Sequence, residues 1–117
     1  MYLFLLSKVY LLKELKLVLN EFSLEKAASK DTLAKLNKFD FPNDFLSFLA
    51  QSNGGEGFIG EHYLILWQAE ELTSFNEEYQ VATYAPGIFL FGSNGGGEGF
   101  GFDMRHKPYQ VVQIPFI

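Results

Sequence analysis

The stretch IFLFGSNGGGEGFGFDM, residues 88–104, decides the fold. It opens on four apolar residues, breaks at Ser93 to Gly97, and then alternates. Phe100, Phe102 and Met104 fall on one side, Gly101 and Asp103 on the other. Alternation with a period of two marks a strand with one apolar face, so the stretch reads strand, turn, strand. Downstream, Lys107-Pro108 is another turn and Tyr109 to Ile114 a last strand. Upstream, Pro86-Gly87 is a turn. Residues 69–79 (AEELTSFNEEY) read as a short acidic helix with Leu72 and Phe75 inward, and Tyr63 to Trp67 as a short apolar strand.

The N-terminal half has a different texture. In DFPNDFLSFLAQSNGG, residues 40–55, Pro42 suits a first helical turn because its missing N–H is not needed there. Asp44 lies where a helix dipole favours an anion. Phe45, Phe48 and Leu49 make a buried stripe, and Asn53 and Gly54 end the helix because both tolerate a left-handed cap. Residues 10–22 carry Leu11, Leu15, Val18, Leu19 and Phe22 on one stripe, which predicts an amphipathic helix. Residues 1–9 fit either an extension of it or a strand. Ser23 is a candidate N-cap for a second helix near 24–37. Helices first and closely spaced strands second predict an α+β fold: N-terminal helices packed on a mostly antiparallel sheet. At 117 residues, with no linker or low-complexity tract, the expectation is one domain spanning 1–117.

Composition narrows the function classes. Hydrophobic residues make up 48%, too many for a disordered chain, and 13 residues are Phe. Those rings fit a core first and an exposed partner patch second. No cysteine is present, which removes disulfides and thiolate metal sites and suits a reducing cytoplasm. Lys8 interrupts the apolar start MYLFLLSKVYLLK, which reads as neither a membrane span nor a signal peptide. Residues 1–52 carry seven Lys against six acids. Residues 53–117 carry Arg105 and Lys107 against eight acids, a charge of −6 where the whole chain has −5. Such a half does not neutralise phosphates, so direct nucleic-acid binding is not expected. It suits a basic protein partner, or simply solubility.

Two segments resemble each other, NGGEGF at 53–58 and NGGGEGF at 94–100. The first follows a helix and the second a strand, so they read as similar turns and not as a repeat. Turn formation alone accounts for their glycines. Gly55, Gly57 and Gly60 match G-x-G-x-x-G in form, but the order helix, loop, strand is wrong for a dinucleotide site. GGEGFGFD at 96–103 has Gly101 where a calcium repeat needs Asp, so no metal or other cofactor is expected. His62 and His106 lie in no ligand motif, and no GxSxG occurs. Glu61 and His62 are adjacent and would point to opposite faces of a strand. His106 sits in the basic turn RHKP.

The ordered set of a Pro-led helix PNDFLSFLAQSNGG, then YLILW, AEELTSFN, IFLFGSNGGGEGFGFD and VVQIPF resembles the SUKH superfamily, the Smi/Knr-like group, over residues 41–116. The resemblance implies an α+β fold with an antiparallel, curved sheet packed by helices, and members that are mainly non-enzymatic. Its bacterial members are similar to immunity proteins that neutralise a cognate toxin, often a nuclease or deaminase, by stoichiometric binding. Its fungal members regulate cell-wall assembly, which makes a regulatory scaffold the alternative. A third reading, an enzyme or small-ligand binder, would need a deep pocket around Glu56, His62 or Glu98. Candidate partner-binding residues are Asn53, Gly54, Gly55, Glu56, Trp67, Asn94, Gly95, Gly96, Glu98 and Asp103, although a Trp on a strand, such as Trp67, more often belongs to the core. Family members usually run on into a C-terminal helix, whereas this sequence stops at Ile117. Either the run Met1 to Leu6 or a second copy, giving a homodimer, is expected to cover the sheet instead.

Overall fold

A computed structural model describes residues 22–59 and 62–116. Its elements are β1 (Phe22–Leu24), α1 (Lys30–Leu36), α2 (Asn43–Leu49), β2 (Gly55–Ile59), β3 (His62–Leu66), α3 (Leu72–Glu78), α4 (Val81–Tyr84), β4 (Ile88–Ser93), β5 (Glu98–Asp103) and β6 (Gln110–Pro115). A short 3₁₀ turn at Asn37–Phe39 continues α1, and another at Ala69–Glu71 leads into α3. The strands form one sheet in the order of the chain, every neighbouring pair antiparallel. Helices packed on such a sheet make the fold α+β.

The sheet face carrying Phe89, Phe91 and Phe102 meets α2. Phe45 stands edge-on to Phe102 at 5.2 Å and lies 5.7 Å from Phe91, while Phe41 meets Phe89 at 5.0 Å. Phe45, Phe48 and Leu49 are all buried, as the stripe in the sequence requires. Burying each such side chain contributes about 1.5–3 kcal/mol, so this phenylalanine cluster is a large part of what holds α2 to the sheet. The register of β4 against β5 shifts between Leu90 and Gly92. That bulge leaves Phe91 on the face of Phe89, sets Gly92 opposite Phe100, and moves Ser93 to the other face.

A row of residues crosses the opposite face on all six strands: Ser23, Glu56, Ile65, Ser93, Gly99 and Ile114. At its β4–β6 end this outer face is covered. Phe116 folds back over Gly99, where an added Cβ would lie 2.9 Å from its ring, and it stacks on Tyr79 at 4.3 Å. The segment α3–α4 takes the edge of β4 that β3 leaves. β3 pairs with β4 only at Ile65 and Leu66. Beyond that point Asn76 of α3 accepts from the Leu90 N–H at 2.8 Å and donates to the Leu90 carbonyl at 2.9 Å. One side-chain amide thus replaces a strand.

Several expectations need correction. Phe22 lies in β1, so a helix over 10–22 cannot run to its end; the rest of that helix and residues 1–9 lie outside the described residues. Ser23 and Leu24 are strand, and the N-cap of α1 is Ser29, whose side chain accepts from the Thr32 N–H at 3.1 Å. Capping needs an extended residue just ahead of the helix, and Ser29 has that backbone (φ −69°, ψ 155°). Pro42 is itself the N-cap residue of α2. Asp44 accepts from the Phe45 N–H, but burial pushes its carboxyl up and leaves Oδ2 with no partner. Desolvation there outweighs the backbone N–H groups of Phe45 and Asp44, which favour the charged form. Residues 55–58, read as loop, are strand β2, leaving only Asn53 and Gly54 as the turn. The helix expected over 69–79 and the strands of 63–67, 88–91 and 109–114 are present, each shifted by a residue or two.

Candidate functional site

The first glycine turn is tied to neighbouring segments and the second is held by its own residues. Asn53 is buried: its N–H donates to the Lys26 carbonyl (2.7 Å), its Oδ1 accepts from the Ala69 N–H (2.7 Å), and its Nδ2 donates to Glu70 (2.8 Å). It ties the end of α2 to the segment before α1 and to the start of the α3 region. Gly54 has φ 86°, and a Cβ there would lie 2.5 Å from the Leu66 carbonyl oxygen. Gly55 is buried between Leu24 and Leu66. In the second turn Asn94 Oδ1 accepts from the N–H groups of Gly96 (2.8 Å) and Glu98 (3.1 Å), and its Nδ2 donates to the Glu98 carboxylate (3.1 Å). Gly95 and Gly96 are exposed, and Gly95 lies over Ile65.

The remaining candidates are scattered. Glu56 is exposed on the outer face opposite Ile65, where the Tyr63 hydroxyl donates to it; that bond, with some desolvation, holds the Tyr63 phenol above its ordinary value. Glu98 and Asp103 sit at opposite ends of β5, roughly 17 Å apart at about 3.4 Å per residue. The Arg105 side chain donates to Asp103 through two nitrogens, at 2.9 and 2.7 Å, and holds its carboxyl down at about 2. Trp67 is 6% exposed, edge-on to Phe75 at 4.9 Å and stacked on Tyr79 at 6.2 Å. The structure therefore brings Glu56 and Gly95 together around Ile65. It places Asn53 and Trp67 in the interior and Asp103 far from both.

The rings that are in fact exposed, Phe58, Tyr79 and Tyr84, are not among the candidates named from the sequence. Phe58 is 49% exposed and meets Tyr63 edge-on at 4.9 Å. Tyr79 and Tyr84 are 42% and 55% exposed, and with Phe116, Leu90 and Ile114 they line an apolar cleft of about 200 Å³. A wider groove of about 540 Å³ between α1 and the start of α3 mixes Lys35, Lys38 and Glu70 with Leu36 and Phe39. A signal for Phe58 lay in the alternation of Glu56 and Phe58 against Tyr63 and Ile65 once 55–59 is seen as strand. Nothing local distinguishes Asn76 from any exposed helix residue.

Among the described residues no group of three His, Asp or Glu side chains converges as a metal site, and no helix is long and apolar enough to cross a membrane. His106 is exposed in its turn; Glu61, and so its pairing with His62, lies outside the described residues.

A six-stranded antiparallel meander, helices packed over it, an aromatic core and self-satisfied glycine turns define an α+β protein of the helix-covered-meander class. More particularly, the chain belongs to the SMI1 / KNR4 family (SUKH-1), which matches residues 27–114. None of the curated proteins matches it.

Proposed function

We propose that this protein is an immunity protein of the bacterial cytoplasm that neutralises a cognate toxin by binding it in a one-to-one complex, and that it catalyses nothing itself. The observation that carries this reading is the outer face. Its polar groups at the turns are consumed internally, by Asn94 on its own turn and by Arg105 on Asp103. What it offers a partner is exposed aromatic rings beside carboxylates: Phe58 with Glu56, and Tyr79 with Glu77 and Glu78. Aromatic anchors on a rigid sheet supply hold, and a surplus of acid speeds encounter with a basic partner. Toxins that act on nucleic acid carry basic sites, which suits that surplus.

Co-expression with the toxin encoded beside its gene tests the reading. Growth should be rescued, and the two proteins should co-purify in equal amounts. Co-purification without rescue would favour the regulatory-scaffold alternative. Neither rescue nor a complex would remove the immunity reading altogether.

A further inference from the structure

The cleft at the β6 end of the outer face is built to receive something. Leu90 and Val81, both buried, line its depth; Ile114 and Phe116 stand half-buried at its side; Tyr79 and Tyr84 are its exposed rim. At about 200 Å³ it falls below the ~300–1,000 Å³ of small-molecule sites. It has room for one large side chain, the scale on which a partner inserts an anchor. Tyr79 is held in a stack. Phe116 lies 4.3 Å from it with the rings 7° from parallel, and Trp67 lies on it at 6.2 Å. A wall already ordered loses little freedom on binding.

Charge decides the kind of partner. Glu77 and Glu78, both exposed, occupy the last turn of α3 immediately before Tyr79, and that turn holds no basic residue. A helix C-terminus carries partial negative charge, so two carboxylates there work against the helix and deepen the negative potential. Among the described residues, Arg105 and Lys107 are paired with Asp103 and Asp40. The other lysines among the described residues, Lys26, Lys30, Lys35 and Lys38, all lie in residues 26–38, and none of them lines the cleft. Local rules are broken at Glu77 and Glu78, and among the described residues no cation pairs with either, which is the pattern of a functional surface.

We propose that this cleft seats one large apolar side chain of a protein partner, with an Arg or Lys beside that side chain meeting Glu77 and Glu78. The proposal rests on the reading of the protein as a partner-binding domain and names the face and the chemistry that it uses.

Blocked dipeptides followed by amide-correlation NMR test the cleft directly. N-acetyl-Phe-Arg amide should shift Val81, Tyr84, Ile114 and Phe116, with at least about fivefold tighter binding than N-acetyl-Phe-Glu amide, since tenfold corresponds to only ~1.4 kcal/mol. N-acetyl-Gly-Arg amide should shift none of these. Tyr84→Ala, at an exposed position and with an otherwise unchanged spectrum, should lose most of the Phe-Arg binding. The proposal is overturned if Phe-Arg does not bind at millimolar concentration, binds at the Phe58–Tyr63 hairpin, or binds no better than Phe-Glu. The neighbouring toxin supplies the second arm. Tyr84→Ala, and Ala85→Phe, which fills the cleft, should each weaken the complex at least about tenfold. Equal binding by wild type and both variants would overturn the cleft and leave the immunity reading standing. No binding by wild type would count against that reading, and the dipeptides alone would then decide for the cleft.

Discussion

Replacing Asn76 by alanine should cost far more than its half-buried position suggests. The Asn76 amide makes three bonds: Nδ2 to the Leu72 carbonyl (2.7 Å), Nδ2 to the Leu90 carbonyl (2.9 Å), and Oδ1 from the Leu90 N–H (2.8 Å). Leu90 is 1% exposed, so truncation strands both of its backbone groups next to the core. A buried group left without a partner costs about 1–3 kcal/mol. Asn76 is half-buried, so water reaches part of the gap, and the loss for the two groups should total about 2–4 kcal/mol. With a urea slope of about 1.5 kcal/mol/M, the unfolding midpoint of Asn76→Ala should fall by about 1.3–2.7 M with the slope unchanged. Hydrogen exchange at the Leu90 amide should accelerate from near-global protection to local opening. Asn76→Asp keeps the acceptor for the Leu90 N–H but turns a charged oxygen on two carbonyls. It should be at least as unstable at neutral pH and recover as acid protonates it. A midpoint for Asn76→Ala within about 0.3 M of wild type, with Leu90 exchange unchanged, would refute the argument that this amide stands in for a strand.

Gly54 and Gly97 both have positive φ, 86° and 100°, but differ in their surroundings. Gly54→Ala would put a Cβ 2.5 Å from the Leu66 carbonyl oxygen, whereas nothing lies within 4 Å of one at Gly97. Urea unfolding should show about 1–2 kcal/mol for Gly97→Ala, the backbone cost alone, and about 1–3 kcal/mol more for Gly54→Ala; equal costs would show that the Leu66 contact relaxes freely. The Asp103 carboxyl is lowered from 3.8 to about 2 by the side-chain hydrogen bonds of Arg105. A group whose folded value is depressed adds stability above its unfolded value and loses it as pH falls through the folded one. That contribution is therefore present above about pH 4 and gone near pH 2. Arg105→Gln should return the Asp103 titration, followed by carboxyl-carbon NMR, toward 3.8 and flatten the acid limb of the stability profile over that window. An unmoved titration would sink the assignment.

How far such features could be read from sequence depends on the distance over which each is decided. The helix α2 was legible because Pro42, Phe45, Phe48 and Leu49 act within two turns, and β5 because Phe100 and Phe102 alternate with glycine. Strand β2 was not. Its first four residues, Gly-Glu-Gly-Phe, hold two glycines and no β-branched residue, and they are extended because β1 and β3 pair with both edges of the strand. Likewise Ser23 and Ser29 look alike as caps, and only the pairing of β1 with β2 removes Ser23 from the choice. The candidate site failed in places for the same reason. Asn53 looks in the sequence like a side chain seeking a partner. It is one, but its partners are Ala69 and Glu70, 16 and 17 residues away in the same chain. Asn94 and Asp103 are also satisfied by their own chain. A sequence shows that a polar group needs a partner without showing whose. Once the groups satisfied internally are subtracted, the rings of Phe58, Tyr79 and Tyr84 remain exposed on the described surface, and of the carboxylates that remain, Glu25, Asp31, Glu77 and Glu78, the last two lie at a helix C-terminus. The rings leave apolar surface in water and the two carboxylates work against the end of α3, and the partner contact proposed above would offset both.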